Sequence, residues 1–231
     1  MTKNIKTLIR RAAGVFCLGG MMLSAGLFTS CTEKDNTVEE FADWQSKNET
    51  YWNKLYTATQ QKIKSGDTSW KIILNYSYQN QKQTSGSALT YSPEDYIIAH
   101  VEQAGAGTTS PLYSDSVSMH YMGRLIPSTT YTSGLIFDKS WSNDTFNAIT
   151  SRPAHSFIGL TYSSEGKAVS LVDGFTTALM SMHRGDHWTV YIPHQLGYGT
   201  SASGTVPAYS TLIFDLRLVD FSHPGTKLKD S

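Results

Sequence analysis

The sequence predicts an α+β domain: several antiparallel strands with one short helix over one face, preceded by an N-terminal helical segment. Three observations predict it. Apolar and polar residues alternate through 117–121 and 188–192, and Leu212, Phe214, Leu216 and Leu218 form one face of a last strand. Val172, Phe175, Leu179 and Met182 instead recur at helical spacing, and Gly185 follows as a stop. From Phe41 to Ile63, aromatic and apolar residues recur mostly at three- and four-residue steps, the stripe of a longer helix.

The chain has 231 residues, room for one large or two small domains. Hydrophobic residues make up 39% and aromatics 12%, which permits a packed core. Basic and acidic residues balance at 19 each. Lys3, Lys6, Arg10 and Arg11 crowd the amino terminus; without them 15 basic residues face 19 acidic ones, a net charge of −4. No polybasic stripe is left to grip phosphates, so no nucleic acid is expected as a partner. The seven histidines are scattered, without metal-ligand spacing to a cysteine or carboxylate. Neither a metal nor another cofactor is therefore expected, and His183 and His194 are expected at the surface. The sequence has no Gly-rich phosphate loop, no Gly-x-Ser-x-Gly elbow and no paired-acid motif.

Residues 1–30 read as a lipoprotein signal peptide. Lys3 to Arg11 is basic, and Ala12 to Phe28 is uncharged and apolar before a run of small residues. A membrane anchor is the competing reading, but the run is short for a spanning helix and contains four glycines. Leu27-Phe28-Thr29-Ser30-Cys31 resembles a bacterial lipobox, with Phe28 where Leu is usual. That resemblance implies lipidation of Cys31, anchoring in a membrane, and a place in the cell envelope, on the periplasmic or surface side of the outer membrane. The alternative is a free Cys just past a signal peptide. With Cys17 removed by cleavage, no internal disulfide is expected.

Residues 31–37 are a polar tether, and 38–95 a helix-containing extension. Thr37-Val38-Glu39-Glu40 fits a capping box. Phe41, Trp44, Tyr51, Trp52, Leu55, Tyr56, Thr59 and Ile63 then form one face of a helix ending near Ser65-Gly66. That face packs either on the following domain or on a second copy, which would give a homodimer through residues 38–64. Trp70 to Tyr78 reads as a strand, Gln79 to Ser92 as a polar loop, and Tyr96 to Glu102 as a further strand. Gly105, Gly107 and Pro111 mark a turn region. The main domain is expected over 96–222, with a tail over 223–231.

Five segments in order resemble the FKBP-type peptidyl-prolyl cis/trans isomerases. They are Val117-Ser118-Met119-His120-Tyr121-Met122-Gly123; Gly134-Leu135-Ile136-Phe137-Asp138-Lys139-Ser140; Leu171-Val172-Asp173-Gly174-Phe175 leading to His183-Arg184-Gly185-Asp186; Tyr191-Ile192-Pro193 with Leu196-Gly197-Tyr198-Gly199; and Val206-Pro207 followed by Thr211-Leu212-Ile213-Phe214-Asp215-Leu216. The resemblance implies an antiparallel sheet of five or six strands wrapped around the short helix, with an apolar pocket between them. It implies isomerase activity on proline-containing polypeptide clients. Tyr121, Phe137, Asp138, Phe175, Tyr198 and Phe214 would carry the activity, with Leu171, Val172 and Val206 binding substrate. Phe175 stands at the pocket floor, where many members have Trp. The segments Trp141 to Arg152 and Thr161 to Ala168 look like added length, and Phe157 is left unassigned.

Within that resemblance, Tyr121, Phe175 and Phe214 would hold the proline ring, while Phe137 and Tyr198 flank the rotating carbonyl. Asp138 would orient Tyr121 or a backbone group rather than act as a base. The Tyr198 hydroxyl and the Val172 amide would bind substrate carbonyls. The alternative is an FKBP-like chaperone or binding lipoprotein without turnover.

Overall fold

The computed structural model describes residues 39–81 and 89–228. The expected signal peptide, the expected tether with its proposed lipidation site Cys31, and Thr37 lie outside the described residues. In chain order the elements are α1 (Trp44–Lys64), β1 (Trp70–Leu74), β2 (Tyr96–Gln103), β3 (Ser116–Leu125), β4 (Ile136–Lys139), β5 (Ala154–Phe157), β6 (Thr161–Tyr162), β7 (Ala168–Val169), α2 (Asp173–Ser181), β8 (His187–Ile192) and β9 (Leu212–Ser222).

One antiparallel sheet runs in the order β1-β2-β8-β9-β3-β4. β3 is long enough to take two partners on one side. Its first half, Ser116 to Met119, pairs with β5, and its second half, Met122 to Arg124, pairs with β4. The sheet therefore has seven strands among the described residues, where the sequence suggested five or six. The chain between β4 and β5 leaves the sheet as the long segment anticipated around Trp141 to Arg152. Thr161 to Ala168 is a two-stranded hairpin, β6–β7, instead of a plain loop.

The expected boundary at residues 95 and 96 is corrected. β1 pairs with β2 over its whole length, from Trp70 opposite His100 to Leu74 opposite Tyr96. The expected extension thus supplies an edge strand to the same sheet and is no separate unit. β1 is shorter than the expected strand, because at Asn75 the chain turns towards α2. There the Thr177 hydroxyl donates to Asn75 Oδ1 at 3.0 Å and accepts from the Tyr76 amide at 3.1 Å.

Adjacent rows of the sheet point to opposite faces. One row joins Ala99, Val190, Phe214 and Gly123; its face packs on α2 through Phe175, Ala178, Leu179 and Met182, all buried. Contact is close at the start of α2: a Cβ on Gly174 would stand 2.3 Å from Ile192 Cγ2. The neighbouring row joins Ile98, Tyr191, Ile213 and Arg124. Ile98 and Ile213 are as buried as the first row, so the second face is covered too.

α1 supplies that cover. Tyr56 meets Tyr96 with ring centres 6.1 Å apart, and the Lys62 ammonium sits 3.8 Å over the Trp70 ring. The Trp44 indole donates to Ser210 Oγ at 2.8 Å, and Asn48 Oδ1 accepts the Thr211 amide at 2.7 Å. Burial raises the Tyr51 phenol to about 12, with the neighbouring Tyr191 adding to the effect and Arg124 opposing it. The aromatic stripe thus packs on the chain's own sheet.

The capping box expected at Thr37 to Glu40 does not open α1, which starts at Trp44 after a turn at Asp43. Glu40 reaches across the fold instead. Its carboxylate accepts the Ser128 hydroxyl and the Thr130 amide, the latter at 3.0 Å to Oε1 and 3.1 Å to Oε2. His194 is half-buried against Tyr209, contrary to the surface position expected for it, because the turn before Leu196 folds over the start of β9. The tail begins by folding back: the His223 ring lies 2.8 Å from the buried carboxylate of Asp115. No helix among the described residues is long and apolar enough to cross a membrane.

Candidate active site

Where α2 crosses β3, β4 and β9, the sheet opens into a cleft of about 280 Å³. Tyr121, Phe137, Asp138, Leu171, Val172, Phe175, Tyr198 and Phe214 all line it. Of the residues singled out in the sequence, Val206 does not. It is buried in the core, held by backbone bonds with Ser203, and an apolar residue in that turn gains more from the core than from the rim.

Phe214 and Phe175 make the floor. They are 6% and 5% exposed, with ring centres 4.8 Å apart and planes at 70°. Tyr121 stands edge-on to Phe175 at 5.9 Å, and Phe137 edge-on to Phe214 at 5.6 Å. This edge-to-face order sets the electropositive rim of one ring against the electronegative face of the next, which holds the walls at fixed angles. Tyr198 remains 40% exposed, as a residue at the mouth does.

Two backbone features create the space. Gly123 lies against two of the wall rings, and a Cβ there would lie 2.5 Å from Phe137 Cζ and 2.7 Å from Phe214 Cε1. A bulge follows it: Gly123 pairs with Asp138, but Arg124 pairs with Ile136, leaving Phe137 without an opposite residue. A bulge re-aims side chains. Here it lets two successive residues, Phe137 and Asp138, both line one cleft.

The Tyr121 hydroxyl donates to Asp138 Oδ2 at 2.8 Å. Burial, then the hydrogen bond and charge of Asp138, push the Tyr121 phenol up to about 12. Burial first, and the Asp138 charge second, also raise Tyr198. Both phenols stay neutral donors at physiological pH. Val172 precedes α2 in extended conformation, and its carbonyl accepts the Phe175 and Thr176 amides at 2.9 and 3.0 Å, so the helix starts at the cleft edge.

Met119, Ala154, His155, Ser156 and Ser170 also line the cleft and were not singled out. The first lies on the same face of β3 as Tyr121, so the alternation that marked Tyr121 marks it too. Ala154 to Ser156 come from β5, whose pairing with β3 carries them to the rim. Phe157, left unassigned, is outside the lining and exposed. A wider trough of about 640 Å³ opens between β1, β2 and the end of α2, lined by Lys71, Ile73, Val101, His183 and Trp188 among others. It is larger, but none of the expected site residues reaches it, and no ring cluster converges there.

Residues 107–219 match the family model of the FKBP-type peptidyl-prolyl cis-trans isomerases. The chain is similar to a macrophage infectivity potentiator of Trypanosoma cruzi, with 32% identity over 64% of this chain and 63% of the relative. It is similar to peptidyl-prolyl cis-trans isomerase Mip of Coxiella burnetii, with 33% identity over 52% of this chain and 42% of the relative. With FK506-binding protein 1A of Neurospora crassa it shares 31% identity over 57% of this chain, and here it covers 92% of the relative. It therefore spans under two thirds of the first two relatives and nearly all of the third. From the near-complete coverage of that small relative, together with the family match, the chain belongs to the FKBP-type peptidyl-prolyl cis-trans isomerase family.

Proposed function

We propose that the protein catalyses cis/trans isomerisation of X-Pro peptide bonds in exported polypeptides, working from the cell envelope. The barrier to that rotation is about 18–20 kcal/mol, because resonance gives the C–N bond partial double-bond character. Cis and trans X-Pro differ by only about 0.5–1 kcal/mol. A catalyst therefore needs no nucleophile and no net proton transfer. It has to bind the twisted amide better than either planar form.

The twisted amide loses its zwitterionic resonance form, so its carbonyl is less polar. A cleft walled by rings solvates that form better, relative to the planar ones, than water does. Phe175, Phe214 and Tyr121 take the pyrrolidine ring, which stacks well on aromatic edges and faces. Phe137 and Tyr198 flank the turning carbonyl. Neutral phenol at Tyr198 and the backbone amide of Val172 donate to neighbouring substrate carbonyls. Asp138 positions Tyr121.

The observation that carries this reading is the convergence of five rings on one open cleft with no polar group on its floor. Its test is exchange NMR on a short Phe-Pro peptide. The wild type should accelerate cis/trans exchange, and Phe137→Ala should lose most of the acceleration. A wild type no faster than buffer, with a folded spectrum, sinks the proposal and leaves a binding module without turnover. Envelope anchoring is tested separately: acyl-chain labelling in the producing cell should be abolished by Cys31→Ser.

A further inference from the structure

The β6–β7 hairpin grows out of the rim of the cleft. One root is Ala154 to Ser156 and the other is Ser170 to Val172, and both line the cleft. After the first root, Ile158 stays in the core with its amide on Asp115 O at 2.9 Å, and the chain stands out from Leu160 to Val169. Neither β6 nor β7 pairs with the main sheet.

An isolated two-stranded hairpin is marginal in water, and its apolar residues normally turn inward onto a body. These do not. Leu160 is 46% exposed, Tyr162 66% and Val169 49%. The turn is nonetheless well formed: the Ser163 amide donates to Lys167 O at 2.8 Å, and the Gly166 amide to Ser163 O at 2.9 Å. At the tip, Lys167 pairs with Glu165 at 3.0 Å, so the two tip charges cancel. The arm is thus shaped and electrically neutral, with Tyr162 exposed on one face and Val169 on the other, and charge is not what it offers a partner.

We propose that this hairpin is a second binding element, an arm that takes bulky apolar side chains flanking the proline of an unfolded client chain. The inference rests on the isomerase reading of the cleft and names the substrate class: extended, apolar, unfolded polypeptide rather than folded surface turns. Two features of the arm select that occupant. The arm joins one wall of the cleft directly, Val169 preceding Ser170, so a chain seated there runs onto it. At about 3.3 Å per residue, the stretch from Leu160 to the tip reaches roughly 15 Å, alongside four or five residues of an extended chain. Folded proteins hide such side chains, whereas unfolded chains display them.

The test uses the triple substitution Leu160→Ser, Tyr162→Ser and Val169→Ser in the full chain, with circular dichroism and thermal unfolding confirming an unchanged fold. Two substrates are compared: a blocked tetrapeptide that fills only the cleft, and a reduced, carboxymethylated protein whose refolding is limited by prolyl isomerisation. The triple variant should isomerise the tetrapeptide like wild type, while its kcat/KM in refolding falls about tenfold, the loss expected for removing a few half-exposed apolar contacts. Equal loss on both substrates, or none on either, overturns the inference. Titration of a permanently unfolded chain needs no turnover; weaker binding by the variant supports the arm even if the wild type proves inactive on the tetrapeptide. Wild type that sediments as a dimer, dissolved by the triple substitution, would overturn it in favour of a second copy as the occupant.

Discussion

Tyr121 on β3 donates its hydroxyl to Asp138 on β4 at 2.8 Å, joining a wall of the cleft to the edge strand of the sheet. The pair fixes the tilt of a ring that also meets Phe175 and Phe214 edge-on. Removing the hydroxyl in Tyr121→Phe leaves Asp138, which is exposed, free to be hydrated. The fold should lose about 0.5–1.5 kcal/mol at most, the worth of one hydrogen bond. Isomerisation should slow by about threefold to tenfold, as a ring losing its anchor samples wrong tilts. Alkaline titration followed at 295 nm supplies the second readout. With a folded pKa of about 12 against 10 unfolded, the neutral phenol stabilises the fold fully below pH 10. That contribution is lost as pH rises from 10 through about 12. Tyr121→Phe should remove one late-titrating phenol, and Asp138→Asn should move it earlier without returning it to the ordinary value, since burial remains.

Gly123→Ala tests whether the cleft depends on a missing side chain. The added methyl would fall within 3.0 Å of both Phe137 and Phe214, on the strand beneath them. Forcing an atom into packed rings typically costs about 1–3 kcal/mol. Chemical denaturation should show a loss in that range, and peptide exchange should drop by more than the Tyr121→Phe effect. An alanine variant with wild-type exchange rates would mean that the rings part without harm.

Asn48 is 1% exposed and uses both ends of its amide: Nδ2 donates to Trp44 O at 2.7 Å, and Oδ1 accepts from Thr211. In Asn48→Ala the buried Thr211 amide loses its acceptor, at a cost of about 1–3 kcal/mol. A chain beginning at Thr68, without α1, should fare worse, because it bares Ile98 and Ile213 on the second face of the sheet. Thermal unfolding should report a lower midpoint for the first variant and aggregation for the second. A shortened chain as stable as the full one would show that α1 is dispensable to the sheet.

Glu40 is held at about 2, below the usual carboxylate range, by the Ser128 hydroxyl first and the Thr130 groups next. A depressed folded pKa contributes stability above the unfolded value, 4.5, and that contribution is lost as pH falls through about 2. The difference in melting temperature between wild type and Glu40→Gln should therefore be constant at neutral pH and shrink between pH 4.5 and 2. A difference independent of pH across that window would contradict the assignment.

Much of this fold is legible in the sequence. Periodicity found β3, β8, β9 and α2, and the helical stripe from Phe41 found α1. What alternation cannot express is the bulge at Gly123. By period two, Phe137 and Asp138 belong on opposite faces; only resemblance to a family put them in one site. The surface that receives α1 was also missed, although the signal was present. Ile97-Ile98-Ala99 and Leu212-Ile213-Phe214 are unbroken apolar runs, and such runs mark strands buried on both faces. Val206 went wrong for a different reason: in a loop, an apolar residue can serve rim or core, and only the turn closed by Ser203 decides.

The grip of Glu40 on Ser128 and Thr130 also sets where mechanical load would go. Those two residues belong to the connection between β3 and β4, the strands that bear Tyr121, Phe137 and Asp138. Tension arriving along the backbone from ahead of Glu39 would not be spent on unpeeling α1 alone. It would be handed to the hairpin that forms one wall of the cleft, so that pulling on the chain there strains that wall.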